Sequence, residues 1–121
     1  MQEFVNIKNN AGSEHFNKNA FTEKLLGNTS LYEELIAYSF IQIPQDIQNI
    51  KKYIAEKNVE KIKMSAHKLK GTSLNMCFEI LAEIAVKIED CCENDVGLYG
   101  PYLEKAESEW NEVKKELKAG S

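Results

Sequence analysis

The sequence contains no arginine: all 15 of its basic residues are lysines. Arginine is the side chain that binds phosphate groups and guanine through two parallel hydrogen bonds, so this mode of recognition is excluded. The formal net charge of −4 also argues against a nucleic-acid partner, since domains that bind nucleic acid normally present a basic surface. Any phosphate chemistry must therefore use lysine ammonium groups and backbone amides.

Proline and glycine are scarce as well, with two and six residues among 121. This scarcity favours long helices over a β architecture rich in turns. No segment reaches the roughly 18 to 20 consecutive apolar residues that a membrane span requires. The N-terminus lacks the basic and apolar regions of a signal peptide, so we expect a cytoplasmic protein with no membrane partner.

The three cysteines, Cys77, Cys91 and Cys92, are an odd number without the spacing of a disulfide framework or a zinc site. Free cysteine is commonly buried, so we expect buried or half-buried thiols in a reducing compartment and no bound metal. The alternative is a metal or redox protein that uses Cys91, Cys92 and a histidine, which elemental analysis of the purified protein would test.

The length of 121 residues is that of one domain with a core of four or five helices. Residues 1–18 are polar and rich in asparagine, and few apolar side chains are present to anchor them. We predict that they form a partly ordered N-terminal tail and that the helical domain covers residues 19–118. His15 lies in this tail without partner residues nearby in sequence, and we expect it to be an ordinary surface histidine.

Apolar residues in the first half of the domain recur at intervals of three and four, which is typical of amphipathic helices. A short helix is predicted over Ala20–Leu26, with Asn19 as its N-cap. Ser30 followed by Glu33 forms a capping box at the start of a long second helix. Pro44 lies inside this second pattern and is expected to kink the helix or to divide it in two.

The second half of the domain has the same spacing. Asn58 is predicted to cap a third helix that ends near Asn75, and a fourth follows with an apolar stripe from Phe78 to Ile88. A break over residues 94–97 precedes the last helix, which has Pro101 in its first turn and an apolar stripe formed by Tyr102, Leu103, Ala106, Trp110, Val113 and Leu117. The chain is therefore predicted to be all-α: an antiparallel up-down four-helix bundle with a short extra N-terminal helix.

The segment over residues 62–77 carries the candidate chemistry. At about 100° per residue, five of its side chains cluster within roughly 40° of one direction, and this predicted core stripe consists of Ile62, Ala66, Leu69, Ser73 and Met76. His67 falls about 140° from that direction, which predicts an exposed histidine rather than a core histidine.

The neighbours of His67 on the helix suit an imidazole that carries a phosphoryl group. Lys70, three residues on, can bring an ammonium group to whatever the ring binds. Gly71, four residues on, leaves open space beside the ring, although glycine costs about 0.8–1 kcal/mol relative to alanine inside a helix. The neutral ring is a good nucleophile near neutral pH. A plainer interpretation is an exposed histidine without a role, a solvated Lys70, and a Gly71 that permits close helix packing.

Residues 66–73, Ala-His-Lys-Leu-Lys-Gly-Thr-Ser, resemble the signature of histidine-containing phosphotransfer (HPt) domains of two-component phosphorelays. That signature reads roughly His-x-Leu-Lys-Gly-Ser/Thr-Ser/Ala and lies on the second helix of a four-helix bundle. The resemblance extends from about residue 20 to residue 117. It implies that His67 is the phosphorylation site, that Lys70 stabilises the phosphoryl oxygens, that Gly71 gives access, and that Glu89 on the following helix orients the imidazole.

The same resemblance implies a function in phosphotransfer that does not require an enzyme active site on this chain. The chain would accept a phosphoryl group on His67 from a phospho-aspartyl receiver domain and pass it to another receiver. It would be a phosphotransfer protein rather than an enzyme, since no glycine-rich loop indicates an ATP site. Its expected partners are response-regulator receiver domains and a hybrid sensor histidine kinase, with Mg²⁺ on the receiver and no cofactor on this chain. We expect a monomer whose docking surface includes Lys63, Met64, Lys68 and Leu74.

Cys77 departs from the family pattern, which usually has glycine ten residues after the histidine. Because glycine ends the motif helix tightly there, Cys77 predicts a slightly different helix end or a strained turn. It also supports an alternative function, that of a helical adaptor which is not phosphorylated and binds a receiver or a kinase.

Overall fold

The computed structural model of the protein describes residues 13–91 and 93–119. This part of the chain folds into five α-helices and one 3₁₀ helix and contains no strand. The α-helices are α1 (Lys18–Lys24), α2 (Thr29–Ala55), α3 (Val59–Asn75), α4 (Glu79–Asp90) and α5 (Tyr99–Ala119), and the 3₁₀ helix covers Glu93–Leu98. The all-α prediction is confirmed.

The four longer α-helices form a bundle in which each helix runs back along its predecessor. Short connections join α2 to α3 and α3 to α4, so these neighbours are antiparallel. Helix α3 packs between α2 and α4, and α5 closes the bundle against α4 and α2. The predicted up-down four-helix bundle with a short extra helix in front is therefore confirmed, and α3, which carries His67, is a central element of it.

The buried side of α3 is the one that the periodicity predicted. All five residues of the predicted core stripe are buried: Ile62, Ala66, Leu69, Ser73 and Met76. The stripe of α4 from Phe78 to Ile88 is also buried. Each large apolar side chain taken fully out of water stabilises the fold by about 1.5–3 kcal/mol. This burial fixes the rotation of α3 about its own axis and therefore decides which of its residues face outwards.

Helix α2 runs through Pro44 without dividing, so the alternative of two separate helices is wrong. Proline in a helix interior removes one backbone hydrogen bond and crowds the carbonyl four residues earlier. Pro44 lies on the exposed side of α2, while Ile43 and Ile47 beside it are buried. The carbonyl that loses its donor can therefore bond to water, and the apolar packing on the other side of the helix keeps it continuous.

Asparagine side chains cap the first three helices. The Oδ1 atoms of Asn17, Asn28 and Asn58 accept hydrogen bonds from the backbone N–H groups three residues on, at 3.0–3.2 Å. The prediction for Asn58 is confirmed, and those for Asn19 and Ser30 are wrong by two residues each. For α2, the reason is the turn before the helix, where Leu26 and Gly27 have φ values of 54° and 78° and reverse the chain early enough for Asn28 to start it.

The last two helices follow the prediction with two differences. The predicted break over residues 94–97 is occupied by the 3₁₀ helix, and Tyr99, which begins α5, is buried although the predicted stripe starts at Tyr102. Tyr102 itself is only partly buried against the core. Cys77 is half-buried and Cys91 buried, as predicted, and neither is part of a disulfide, whereas Cys92 lies outside the described residues.

The packed part of the chain begins before residue 19, the predicted start of the domain. Phe16 is only 5% exposed, and its ring makes edge contacts with the rings of Phe21 and Phe78 at centroid distances of 5.7 and 5.6 Å. The backbone N–H of Asn17 donates to the carbonyl of Cys77 at 2.9 Å. Residues 13–17 therefore lie against the turn that follows α3, while residues 1–12 of the predicted tail lie outside the described residues.

His15 is not the ordinary surface histidine that the sequence suggested. Its Nδ1 atom lies 2.6 Å from Oε2 of Glu109 on α5, and Glu109 is buried to all but 7% of its surface. The hydrogen bond to Glu109 is the main cause that raises the pKa of His15 above its ordinary value. Burial raises the pKa of Glu109 in turn. The two residues lie 94 positions apart, so no local pattern announces the pair.

Because of the pair formed by His15 and Glu109, we expect the protein to lose stability as the pH rises. Both groups bind their protons more tightly in the folded chain than in the unfolded chain, so the free energy of unfolding falls with increasing pH. For His15 the fall begins near its ordinary pKa of 6.5 and continues through its raised pKa. Between about pH 6 and about pH 9 we expect the pair to account for about 1 kcal/mol of the fall in the free energy of unfolding. The value is small because His15 is partly exposed and solvent screens its charge.

Urea unfolding at both pH values, with wild type and Glu109→Gln, measures this contribution. In the variant, His15 no longer has a carboxylate to hold its proton, so the fall in the free energy of unfolding should be smaller than in wild type. An equal fall in both proteins would show that the pair does not contribute to the pH dependence.

Candidate functional site

His67 lies near the middle of α3 and is exposed, with 65% of its side-chain surface open to solvent. Ala66 and Leu69 on the other side of the helix are completely buried. The helix is thus held firmly by its core residues while the imidazole points away from the core, as the periodicity predicted. A ring in this position is accessible to a partner protein but not to a substrate bound inside the fold.

A carboxylate from the next helix contacts the imidazole. Oε2 of Glu89, near the end of α4, lies 2.7 Å from Nδ1 of His67. Oε1 of the same carboxylate lies 2.9 Å from Nζ of Lys70. Because α3 and α4 are antiparallel neighbours, the end of α4 returns to the middle of α3, and a residue 22 positions away reaches the histidine.

The charges of Lys70 and Glu89 determine which ring nitrogen of His67 carries the proton. The hydrogen bond from Lys70, and after it the one from His67, holds the pKa of Glu89 below its ordinary value. Glu89 is therefore ionised and can only accept hydrogen bonds. Nδ1 of His67 must donate to it, which leaves the lone pair on Nε2, the nitrogen on the far side of the ring.

Gly71 has no structural reason to be a glycine. It lies in the interior of α3, and a Cβ atom placed on it would have no heavy atom within 4 Å apart from its chain neighbours and the adjacent backbone of its own helix. The interpretation that Gly71 permits close helix packing is therefore excluded. Glycine at this position still costs about 0.8–1 kcal/mol relative to alanine. The open space one turn after His67 faces solvent rather than another helix.

The predicted docking residues surround the histidine on the outer side of α3. Met64 and Leu74 are large apolar side chains, and they are 61% and 57% exposed. Lys68 is exposed and Lys63 is half-buried. Together with His67 they form a mixed apolar and basic surface.

One residue of this surface was not predicted. Val86 on α4 precedes Glu89 by three positions, so the two side chains lie on the same face of that helix, and Val86 is 37% exposed. The sequence signal that could have identified Val86 is its spacing of three residues from Glu89, which places an apolar side chain on the same face of α4 as the candidate orienting residue. It extends the apolar part of the surface from α3 onto α4.

A buried carboxylate lies behind the site but does not join it. Asp46 on α2 is fully buried, and one of its oxygens accepts a hydrogen bond from Nε2 of Gln42 at 2.8 Å. Burial raises the pKa of Asp46, and the positive charge of Lys68 partly offsets this effect. Among the described residues, no three or more potential metal-binding side chains lie together.

The fold and the site define a helical bundle whose central helix presents an exposed histidine, with one nitrogen held by a carboxylate and the other free to react. This arrangement suits a protein that carries a group covalently on histidine. The family model of the Hpt domain matches residues 34–119, more than two thirds of the chain, and the chain belongs to this family. No curated protein and no solved structure matches the chain.

Membership in the family gives a general function. Hpt domains are phosphotransfer carriers in two-component phosphorelays, and they interact with receiver domains and kinases. The match begins five residues after the start of α2 and covers the rest of α2 and all of α3, α4 and α5, while α1 and residues 13–17 lie outside it. In the described part of the chain, none of the helices has the length and apolar character needed to span a membrane.

Proposed function

We propose that the protein is a phosphorelay intermediate that accepts a phosphoryl group on Nε2 of His67 from a phospho-aspartyl receiver domain and passes it to a second receiver. The observation that carries the proposal is the contact between Nδ1 of His67 and the ionised Glu89. It places the proton on one nitrogen and directs the lone pair of the other towards solvent, where a partner must approach.

In the transfer step, Nε2 attacks the phosphorus atom in line with the bond to the aspartyl oxygen. The P–N bond forms as the P–O bond breaks, and the aspartate leaves as a carboxylate. The ring keeps its Nδ1 proton and becomes positively charged, and the carboxylate of Glu89 stabilises this charge. The receiver holds the Mg²⁺ that offsets charge on the phosphoryl oxygens. The reverse step delivers the group to the second receiver.

Lys70 and Gly71 serve the incoming group in different ways. The ammonium of Lys70 is held beside the imidazole by Glu89 and is available to the phosphoryl oxygens once the phosphate arrives. The open space at Gly71 admits the surface of the receiver close to the ring. The exposed Met64, Leu74 and Val86 supply apolar contact area around them.

The direct test is incubation with a panel of phosphorylated receiver domains. Phosphohistidine is labile in acid and stable in alkali, so a label with these properties on wild-type protein supports the proposal. A chain that takes no label from any receiver in the panel would contradict it.

Substitutions at Gly71 distinguish an effect on the stability of the fold from an effect on the access of the partner to His67. Gly71→Ala should raise the free energy of unfolding by about 0.8–1 kcal/mol, because the added methyl group meets nothing. Gly71→Leu should also be at least as stable as wild type, yet its side chain fills the space beside His67. We expect its transfer rate to fall by about tenfold or more, which is a loss of about 1.4 kcal/mol of transition-state binding.

Urea unfolding and rapid-quench transfer assays on the two variants check this prediction. A Gly71→Leu protein that is stable and transfers at the wild-type rate would show that access at this position is unimportant.

The alternative of a helical adaptor without phosphotransfer has lost its main support. That support was Cys77 in place of the usual glycine. Cys77 has a φ of 61°, the left-handed conformation that glycine normally supplies, and the N–H of Phe78 donates to the carbonyl of Ser73 as in a glycine-terminated helix. For Cys77 the sequence predicted either a slightly different helix end or a strained turn. The strained turn occurs, and the left-handed conformation costs about 1–2 kcal/mol. The helix end itself keeps the form that glycine would give it.

A further inference from the structure

Positive charge is concentrated in one part of the fold. Residues 51–70, which form the end of α2, the turn and the first two thirds of α3, contain seven lysines and two glutamates, a net charge of +5. The rest of the chain contains eight lysines and seventeen acidic residues, a net charge of −9. We call residues 51–70 the basic hairpin. Its charge is opposite in sign to that of the remaining surface.

Among the described residues, most lysines of the basic hairpin have no carboxylate partner. Lys51, Lys52, Lys57 and Lys61 are all exposed. Within the described part of the chain, Lys70 alone among the seven lies within 4.0 Å of a carboxylate, that of Glu89. In an ordinary solvated helix surface, acidic and basic residues alternate and pair. The hairpin instead presents its charge outwards.

Two of these ammonium groups converge on one aromatic ring. Nζ of Lys52 lies 5.5 Å and Nζ of Lys61 lies 5.4 Å from the centroid of the Tyr53 ring. The ring attracts each cation, although the cations repel one another. Two like charges held near one ring, without a carboxylate between them, form a favourable place for an anionic group of a partner.

We propose that the basic hairpin is an electrostatic docking surface for an acidic face of the receiver domain that exchanges phosphate with His67. This inference rests on the proposed function. His67 is eight residues after the start of α3, about 12 Å along the helix axis. A folded partner that covers His67 is wide enough to reach the exposed lysines near the turn between α2 and α3 as well. Lys52, Lys57 and Lys61 of the hairpin lie nearer the turn than the apolar and basic residues that border the histidine.

A compact acidic protein fits this surface better than other anions do. An extended polyanion, such as nucleic acid or an anionic membrane, would also approach the negative remainder of the chain. The absence of arginine removes the side chain best suited to bidentate phosphate contacts. A partner whose acidic area matches the hairpin in size avoids both disadvantages.

Electrostatic docking acts on encounter rather than on the chemical step. Complementary charges raise the association rate, and salt screens them over roughly 8–10 Å at ordinary ionic strength. The hairpin should therefore affect the second-order rate constant of transfer at low salt. The first-order rate at saturating receiver should not change.

The test uses the full chain and the receiver domain that transfers fastest to wild type within a panel. The triple variant Lys52→Gln, Lys57→Gln, Lys61→Gln removes three charges without touching His67 or its neighbours. We expect its kcat/KM for transfer to fall about fivefold at about 50 mM salt, and the difference to disappear at about 500 mM salt. Replacement of the same three lysines by arginine should preserve the wild-type rate constant.

A matched control removes the same charge from another face. Lys105, Lys115 and Lys118 on α5 are exposed, and their triple substitution by glutamine should leave kcat/KM within about twofold of wild type. Equal rate constants for the hairpin variant and this control would overturn the inference while leaving phosphotransfer intact. Tighter hairpin-dependent binding to DNA or to phosphatidylserine vesicles than to the receiver would also overturn it. Failure of wild type to take any label is a different result, which refutes the proposed function itself.

Discussion

Replacement of His67 by glutamine is expected to abolish acid-labile labelling of the protein by a phosphorylated receiver. Glutamine has a similar length, and its amide N–H can donate to Glu89 in place of Nδ1, so the packing of α3 against α4 should remain. What is lost is the nucleophilic nitrogen. Since His67 is 65% exposed, the free energy of unfolding should change by less than about 0.5 kcal/mol.

The second histidine provides a matched control. His15→Gln makes the same chemical change at the one other histidine in the sequence, and it keeps a donor for Glu109. This variant should accept phosphate at the wild-type rate. Label that survives in His67→Gln, or disappears in His15→Gln, would remove His67 from its proposed role. The distinction needs only phosphate release in acid and alkali, with circular dichroism to verify the fold.

Replacement of Lys70 by alanine is expected to slow transfer by about 10²-fold, the usual effect of removing one group that stabilises charge in a transition state. Two changes combine in this variant. The phosphoryl oxygens lose a nearby ammonium group, and Glu89 loses the first of the two hydrogen bonds that lower its pKa. The fold should be almost unaffected, because a partly exposed ion pair contributes about 1 kcal/mol at most.

Lys87→Ala is the control for Lys70. Lys87 is an exposed lysine two residues before Glu89, and it lies on the side of α4 that faces α5, where it borders a groove with Lys105 and Glu109. Rapid-quench measurements with a saturating receiver should show the loss only for Lys70→Ala. Transfer by Lys70→Ala at the wild-type rate would show that the lysine is held by Glu89 for structural reasons alone.

The outward direction of His67 was predictable from sequence because it depends on a local regularity. Five residues at helical spacing define the buried side of α3, and one rotation of the helix satisfies all of them. Once that side is buried, the positions of His67 and Gly71 follow from 100° per residue. The same reasoning placed the stripe of α4, and it depended on no knowledge of the neighbouring helices.

Helix starts were less predictable, because several residues near each start are chemically able to cap. Asn17 and Asn19 are equivalent by type, as are Asn28 and Ser30. The choice between them depends on where the preceding turn ends. For α1 it also depends on the hydrogen bond from Asn17 N–H to Cys77, a contact between distant parts of the chain.

The sequence by itself determined that this protein is an all-helical bundle with an exposed histidine beside Lys70 and Gly71, since helical periodicity is a property of neighbouring residues. Only the tertiary structure decided what holds that histidine. Glu89 is 22 positions from His67 and reaches it because α4 folds back along α3. In the same way, Gly71 lacks a packing role because no helix covers it, and the pairing of His15 with Glu109 depends on α5 closing the bundle. Contacts across the bundle depend on the arrangement of whole helices, and no local pattern encodes them.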